Sequence, residues 1–164
     1  MSHVRYIDKT RDYYHAQGYD KAYSWANFDD VPFAPLKKPL AESRLALIST
    51  SEISVRGQDD MAESADGGGS RNVYSIPTNT PIEDLYSQSH SFDKNATTLD
   101  DVNAYFPVTR LREFEAAGRF ASLAPNAHGV YNAYSQRRTS ETDAPELLSR
   151  LRDEAVDVVL LTPV

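Results

Sequence analysis

Cysteine is absent from the 164 residues, so disulfides, thiolate nucleophiles and sulfur-ligated metals are excluded from the chain as given. Long apolar runs are absent too. None exceeds the length of Val158-Val159-Leu160-Leu161, against the roughly 20 residues that span a bilayer, and no membrane partner is expected. No basic stretch followed by an apolar one opens the sequence, which predicts no secretory signal and a cytoplasmic location. Positive charge is in deficit: 17 Lys and Arg face 24 Asp and Glu, a net −7. An acidic surface repels phosphate backbones, so nucleic acid is not an expected partner. Neither a Lys nor a helix start follows Gly67-Gly68-Gly69-Ser70, as a phosphate-cradling loop would need, so this stretch reads as a flexible loop. A metal site needs three or four convergent ligands. His90-Ser91-Phe92-Asp93 offers two, and neither metal nor cofactor is expected. No Gly-x-Ser-x-Gly elbow is present. The adjacent carboxylates Asp29-Asp30, Asp59-Asp60 and Asp100-Asp101 point apart on an extended chain and read as solvated turns.

What is present fits a globular protein. Hydrophobic residues make up 40% and charged residues 25%, and the length suits a single domain over 1–164. Tyr6, Thr10, Tyr13, Tyr14 and Gln17 recur near helical spacing and Gly18 supplies a stop, predicting a helix over 4–17. With Tyr19, Tyr23 and Trp25 they read as an aromatic face packed on the domain, or as a subunit interface. Pro32, Pro35 and Pro39 break regular structure. Residues 26–40 therefore read as an extended arm with Phe28, Val31 and Phe33 turned inward. Strands are predicted near 45–50, 73–76, 120–124 and 156–161. Further helices are predicted near 108–117, closed by Gly118, and near 143–155, capped by Thr142 or Asp143 with Pro145 in the first turn. Asn126–Tyr131 falls in a polar loop, and residues 78–104 give no clear periodicity. The last strand reads as a buried parallel one. Together these elements define an α/β protein: a mainly parallel sheet flanked by helices, with Rossmann-like or flavodoxin-like layering. In such sheets ligands bind beyond the carboxyl ends of the strands, and here the best strand runs into Thr162-Pro163-Val164.

Several stretches carry a resemblance. They are Tyr105-Phe106-Pro107-Val108-Thr109-Arg110-Leu111-Arg112-Glu113-Phe114 with Gly118–Pro125, Trp25–Phe33, Pro39–Arg44 and the His-containing Ser89–Asp93. In this order and spacing the chain resembles the selenoprotein B family of the glycine, sarcosine, betaine and D-proline reductases over nearly its whole length. The resemblance implies oxidoreductase chemistry, the reductive cleavage of a C–N bond with thiols as the ultimate electron source. It places a selenocysteine or cysteine on the loop after a strand similar to Val158–Val164, where an ionised, highly nucleophilic group suits such a displacement. It also implies other reductase subunits or a homo-oligomer as partners, and a small amine or carboxylate as substrate. No residue of this chain is assigned as catalytic, because the selenocysteine or cysteine expected after Val164 is absent. An in-frame UGA read as stop, a truncation, and a degenerate member without redox activity are the explanations. The first is favoured, and the domain is expected to be truncated at its C-terminus. Asn126–Tyr131 is less like the family than its flanks, which bears on substrate identity.

His90, Asp93, Asn126, His128 and Thr162 are the candidate substrate-binding residues. They are polar groups in loops after strands or at a strand end; should His90 and His128 meet near the last strand, they would orient a substrate carboxylate or donate a proton, and a small amine or carboxylate would bind beside Thr162. His3 and His15 belong to the N-terminal helix region and read as surface or packing residues. Two functions stand side by side: a subunit of a reductase-type oxidoreductase lacking its redox residue, and a non-catalytic α/β small-molecule-binding or assembly protein that keeps the scaffold.

Overall fold

Leu45, Ala46, Leu47 and Ile48 are apolar in succession, so a strand here buries both of its faces. In the computed structural model, which describes residues 5–21, 28–31, 34–58, 72–87, 89, 90, 92, 95, 98–131 and 135–163, that strand is β1 (Arg44–Ser49), buried from Leu45 onward. One of its edges pairs in parallel with β7 (Val158–Thr162), from Leu45 with Val158 to Ser49 with Thr162. The other edge pairs in parallel with β5 (Ser122–Leu123) and then β6 (Asn126–Val130). Pro125 separates these two because it has no N–H to give to a ladder. Ala124 N still donates to Leu45 O at 2.7 Å, so β5 and β6 act as one interrupted strand. Beyond β6, β3 (Val73–Pro77) runs antiparallel, from Val73 with Val130 to Pro77 with Asn126. The sheet is mainly parallel, as expected of an α/β protein.

Period-two alternation sorts the strand side chains onto two faces. Leu45, Leu47, Tyr74, Ile76 and Ala127 pack with Phe106, Phe120 and with Val108 and Leu111 of α2 (Val108–Ala116). Ala46, Ile48, Val73 and Ala124 pack on the other side with Leu147 and Leu151 of α4 (Ala144–Asp153). A short helix α3 (Gln136–Arg138) and a π turn over Thr139–Asp143 lead directly into α4. An antiparallel ribbon of β2 (Ile53–Val55) and β4 (Leu85–Ser87) follows β1. Ile53 N ties it to the sheet by donating to Tyr74 Oη at 2.8 Å. The Tyr74 ring lies over Gly129, where an added Cβ would come within 1.8 Å of Tyr74 Cζ.

Residues 1–34 form a unit of their own, separate from 35–164. Its helix α1 (Tyr6–Ala16) ends at Gly18, φ +87°, matching the expected stop. No residue of α1 is buried, and Tyr6 and Tyr13 are 74% and 62% exposed, because among the described residues of this unit no second layer faces the helix. Phe28 and Val31 are exposed as well, not turned inward; their stretch has no regular pairing to close over them. Tyr23, Trp25, Phe33 and the Gly67–Gly69 loop lie outside the described residues.

Two expectations for the sheet also change. Asn126–Val130 is a strand, not a polar loop; its polar members find partners inside the fold, as described below. The last strand is parallel but not buried: Leu161 is 67% exposed and Leu160 is exposed too. β7 has a partner on one edge only among the described residues, and the two cores reach Val158 and Val159 but not the residues after them. Among the described residues no helix is long and apolar enough to cross a membrane.

Candidate functional site

β1, β6 and β7 run in parallel, so their carboxyl ends meet at one edge, and hydroxyl groups collect there. Ser49 Oγ, at the end of β1, lies 2.7 Å from Ser51 Oγ, 3.0 Å from Tyr105 O and 3.2 Å from Thr162 O. Ser51 N donates to it at 3.2 Å. Thr162 is held further by its own hydroxyl, which donates to Ile48 O at 3.3 Å, and by Thr50 N, which donates to its carbonyl at 3.4 Å. From Ser51 the hydrogen bonds continue. Ser87 Oγ donates to Ser51 O, and Ser89 N donates to Ser87 Oγ at 3.1 Å. The chain of contacts thus runs from Thr162 across β1 to the residue before His90, which is exposed. Between Ser51 and Ile53, Glu52 takes a left-handed conformation at φ +53°, a strained turn for a residue with a side chain.

A second cluster sits on the same edge, where β6 ends and β3 begins. Tyr131 N donates to Asn72 O at 3.0 Å, and Asn72 Nδ2 donates back to Tyr131 O at 2.9 Å. The same Nδ2 reaches Asp143 Oδ2 at 3.2 Å. Asp143 is 2% exposed, and Arg138 Nε faces its other oxygen at 3.5 Å. The π turn makes this pairing possible: its wider winding brings side chains five residues apart onto one side. Of the two expected caps of α4, Thr142 and Asp143, the second occupies the N-cap position, but it makes no side-chain cap bond and turns inward to Asn72 and Arg138 instead.

The remaining candidates lie elsewhere. His128 is 1% exposed on the face that α4 covers. Its Nδ1 is 2.9 Å from Ser75 Oγ, which receives Arg150 Nη1 at 2.7 Å. Arginine has no acceptor, so Ser75 keeps its own proton for Nδ1 and the imidazole is neutral with its hydrogen on Nε2. That hydrogen faces Glu154 Oε2 at 3.8 Å, too far to bond. Burial holds the His128 pKa below its ordinary value and Arg150 pushes the same way, while Glu154 opposes them. Asn126 starts β6 at the opposite edge of the sheet, where its Nδ2 donates to Glu154 Oε1 at 2.7 Å. Thr162 is therefore connected through the serine contacts as far as Ser89, while His90 is exposed; Asn126 bonds Glu154, which His128 only faces at 3.8 Å, and Asp93 lies outside the described residues. Asn72, Arg138 and Asp143 are site residues the sequence reasoning missed. No helical periodicity announces a π turn, and an Asp just before Ala-Pro reads as an ordinary cap.

Among the described residues no His, Asp and Glu cluster suits a metal ion. What the edge offers among the described residues is neutral donors and acceptors beside an ion pair in which Asp143 is buried and Arg138 half-buried. An open, mainly parallel α/β sheet with buried polar groups gathered at its strand carboxyl ends is the layout of proteins that handle small molecules there. The family model described as glycine/sarcosine/betaine reductase selenoprotein B matches residues 4–164, and the chain belongs to that family. It is 28% identical over 131 residues to the D-proline reductase subunit gamma of Acetoanaerobium sticklandii, covering 79% of this chain and 52% of the relative. Two proteins called glycine reductase complex component B subunit gamma also match. That of Carboxydothermus hydrogenoformans is 28% identical, over 82% of this chain and 31% of the relative. That of Symbiobacterium thermophilum is 26% identical, over 88% of this chain and 34% of the relative. The chain thus spans about half the length of the first relative and about a third of the other two. No solved structure gives a significant match.

Proposed function

We propose that this chain serves as a gamma-type subunit of a reductase complex that cleaves the C–N bond of a small amine-bearing carboxylate. On this reading it works with other reductase subunits in the cytoplasm, and its sheet edge at Ser49, Thr162 and Asp143 forms the substrate side of the site. The observation that carries the reading is the family match over residues 4–164. The redox nucleophile, a selenocysteine or cysteine, then belongs on the loop that follows β7, and Ser49 and Thr50 steady that strand end. The chemistry needs such a group: Ser and Thr hydroxyls are too weakly acidic, and imidazole lacks the two-electron redox couple. A dithiol gives up two electrons and two protons and becomes a disulfide; the C–N bond breaks, one proton goes to the carbon and one to the amine nitrogen, which departs from an acyclic substrate and stays attached in a ring such as that of proline.

Two measurements test this. The 164-residue protein, given dithiothreitol and glycine, betaine or D-proline, is expected to release no ammonia or trimethylamine and to form no ring-opened product from D-proline; turnover would sink the reading. In co-purification the chain is expected to hold other reductase subunits. A chain that binds a small carboxylate but no such subunit would favour a non-catalytic binding or assembly protein on the same scaffold.

A further inference from the structure

We propose that Arg138, pinned by Asp143, is the anchor for the carboxylate of a small ligand at the sheet edge. This deepens the substrate-site reading above and rests on it. Three observations converge. First, Asp143 is 2% exposed and cannot turn to water, since Asn72 Nδ2 holds its Oδ2 at 3.2 Å. A buried carboxylate is costly unless a cation stays beside it, and Arg138 supplies one: its Nε lies 3.5 Å from Oδ1, an ion pair without a hydrogen bond. Second, the Arg138 side chain is 37% exposed although its Nε is buried. Among the described residues the two terminal nitrogens have no partner. A guanidinium that faces a buried carboxylate with its Nε and has its outer fork free is the donor geometry that takes a second carboxylate through two parallel hydrogen bonds. Third, the cluster stands where ligands of α/β sheets bind. Asn72 also bonds Tyr131 O, so the pair sits at the end of β6. β6 and β7 are separated by β1 alone, two strand spacings or about 10 Å, which an arginine side chain and a small amino acid together cover. In a chain of net −7 an anion finds little general attraction, and one positioned cation decides where it binds.

The test is calorimetric binding of glycine, betaine, D-proline and acetate to the 164-residue protein, with methylamine and pyrrolidine as probes without a carboxylate. It is run on the wild type, Arg138→Gln and Arg138→Lys, alongside the Arg138 Nε–Hε resonance by NMR. The wild type is expected to bind the carboxylates and not the amines, and the Nε–Hε resonance to shift on binding. Arg138→Gln is expected to weaken carboxylate binding at least tenfold. Arg138→Lys keeps the charge beside Asp143 but not the fork, and is expected to fall between. If Arg138→Gln does not fold, a folded Arg138→Lys with wild-type affinity overturns the proposal. So does a wild type that binds none of the carboxylates, or binds the amines equally well. If acetate binds as tightly as the amino acids and both depend on Arg138, the anchor stands and the amine-substrate reading falls. If amino acids bind without regard to Arg138, the anchor falls and that reading survives.

Discussion

His128 is neutral because its surroundings leave no room for a second proton. Ser75 already offers a hydrogen to Nδ1, and burial and Arg150 both disfavour the cation. In the unfolded chain the same imidazole titrates near 6.5. Between the lower folded pKa and that value, the unfolded state binds more protons. Stability is therefore full above about pH 6.5 and falls as pH drops toward the folded pKa, with a slope of at most about 1.4 kcal/mol per pH unit from this one group. Urea unfolding between pH 5 and 8 is expected to show that slope, and His128→Gln to reduce it; an unchanged slope in the variant would contradict the assignment. Gly129 gives a second consequence at this scale. The Tyr74 ring occupies the space of a Cβ there and is itself held by Ile53 N, so the ring cannot swing aside without losing that bond. Gly129→Ala is expected to cost about 1–3 kcal/mol by overpacking and to change the near-ultraviolet tyrosine signal. A wild-type melting point would refute it.

The helices share one way of ending. After α1 and α2, Gly18 and Gly118 take positive φ while the next residues, Tyr19 and Arg119, bond back to Tyr14 O and Phe114 O. This is the Schellman closure that favours glycine. After α4 the same closure is made without glycine. Ala155 has φ +52°, Ala155 N donates to Arg152 O, and Val156 N donates to Leu151 O. Val156 packs on the same core as Leu151, the apolar contact that accompanies this motif. An alanine in the left-handed region costs about 1–2 kcal/mol, so Ala155→Gly is expected to raise stability by about 1 kcal/mol in chemical denaturation. A loss would show that the turn is not strained. The strands differ from one another in the same testable manner. Leu47 is fully buried and Leu47→Ala is expected to cost about 2–5 kcal/mol. Leu160, exposed on the edge strand β7, is expected to cost about 1 kcal/mol or less when cut to Ala. Equal costs would mean that β7 is covered.

For the molecule as a whole, the parts legible in the sequence were those with one dominant physical signal. The run Leu45–Ile48 announced a strand, Gly18 and Gly118 announced helix ends, and Pro145 announced the first turn of α4. β6 was hidden because Asn126, His128 and Gly129 spoil an apolar pattern; each has its partner far away in sequence, in Glu154, Ser75 and Tyr74. The site divided along the same line. Thr162 could be located from the strand that ends there and the rule that ligands gather at strand carboxyl ends. Asn72, Arg138 and Asp143 meet only through the π turn and the antiparallel return of β3, and neither leaves a local mark. The family likeness was visible in the order of short stretches from Trp25 to Pro125, and the family match over residues 4–164 agrees with it. The account rests on one claim, that the working edge is the carboxyl end of β1, β6 and β7. Amide-resolved NMR of the protein titrated with glycine, betaine and D-proline tests it most directly. The account predicts shifts confined to the amides around Ser49–Ser51, Asn72, Tyr131, Arg138–Asp143 and Thr162. Shifts centred on Asn126 and Glu154 at the opposite edge, or none at saturating ligand, would contradict it.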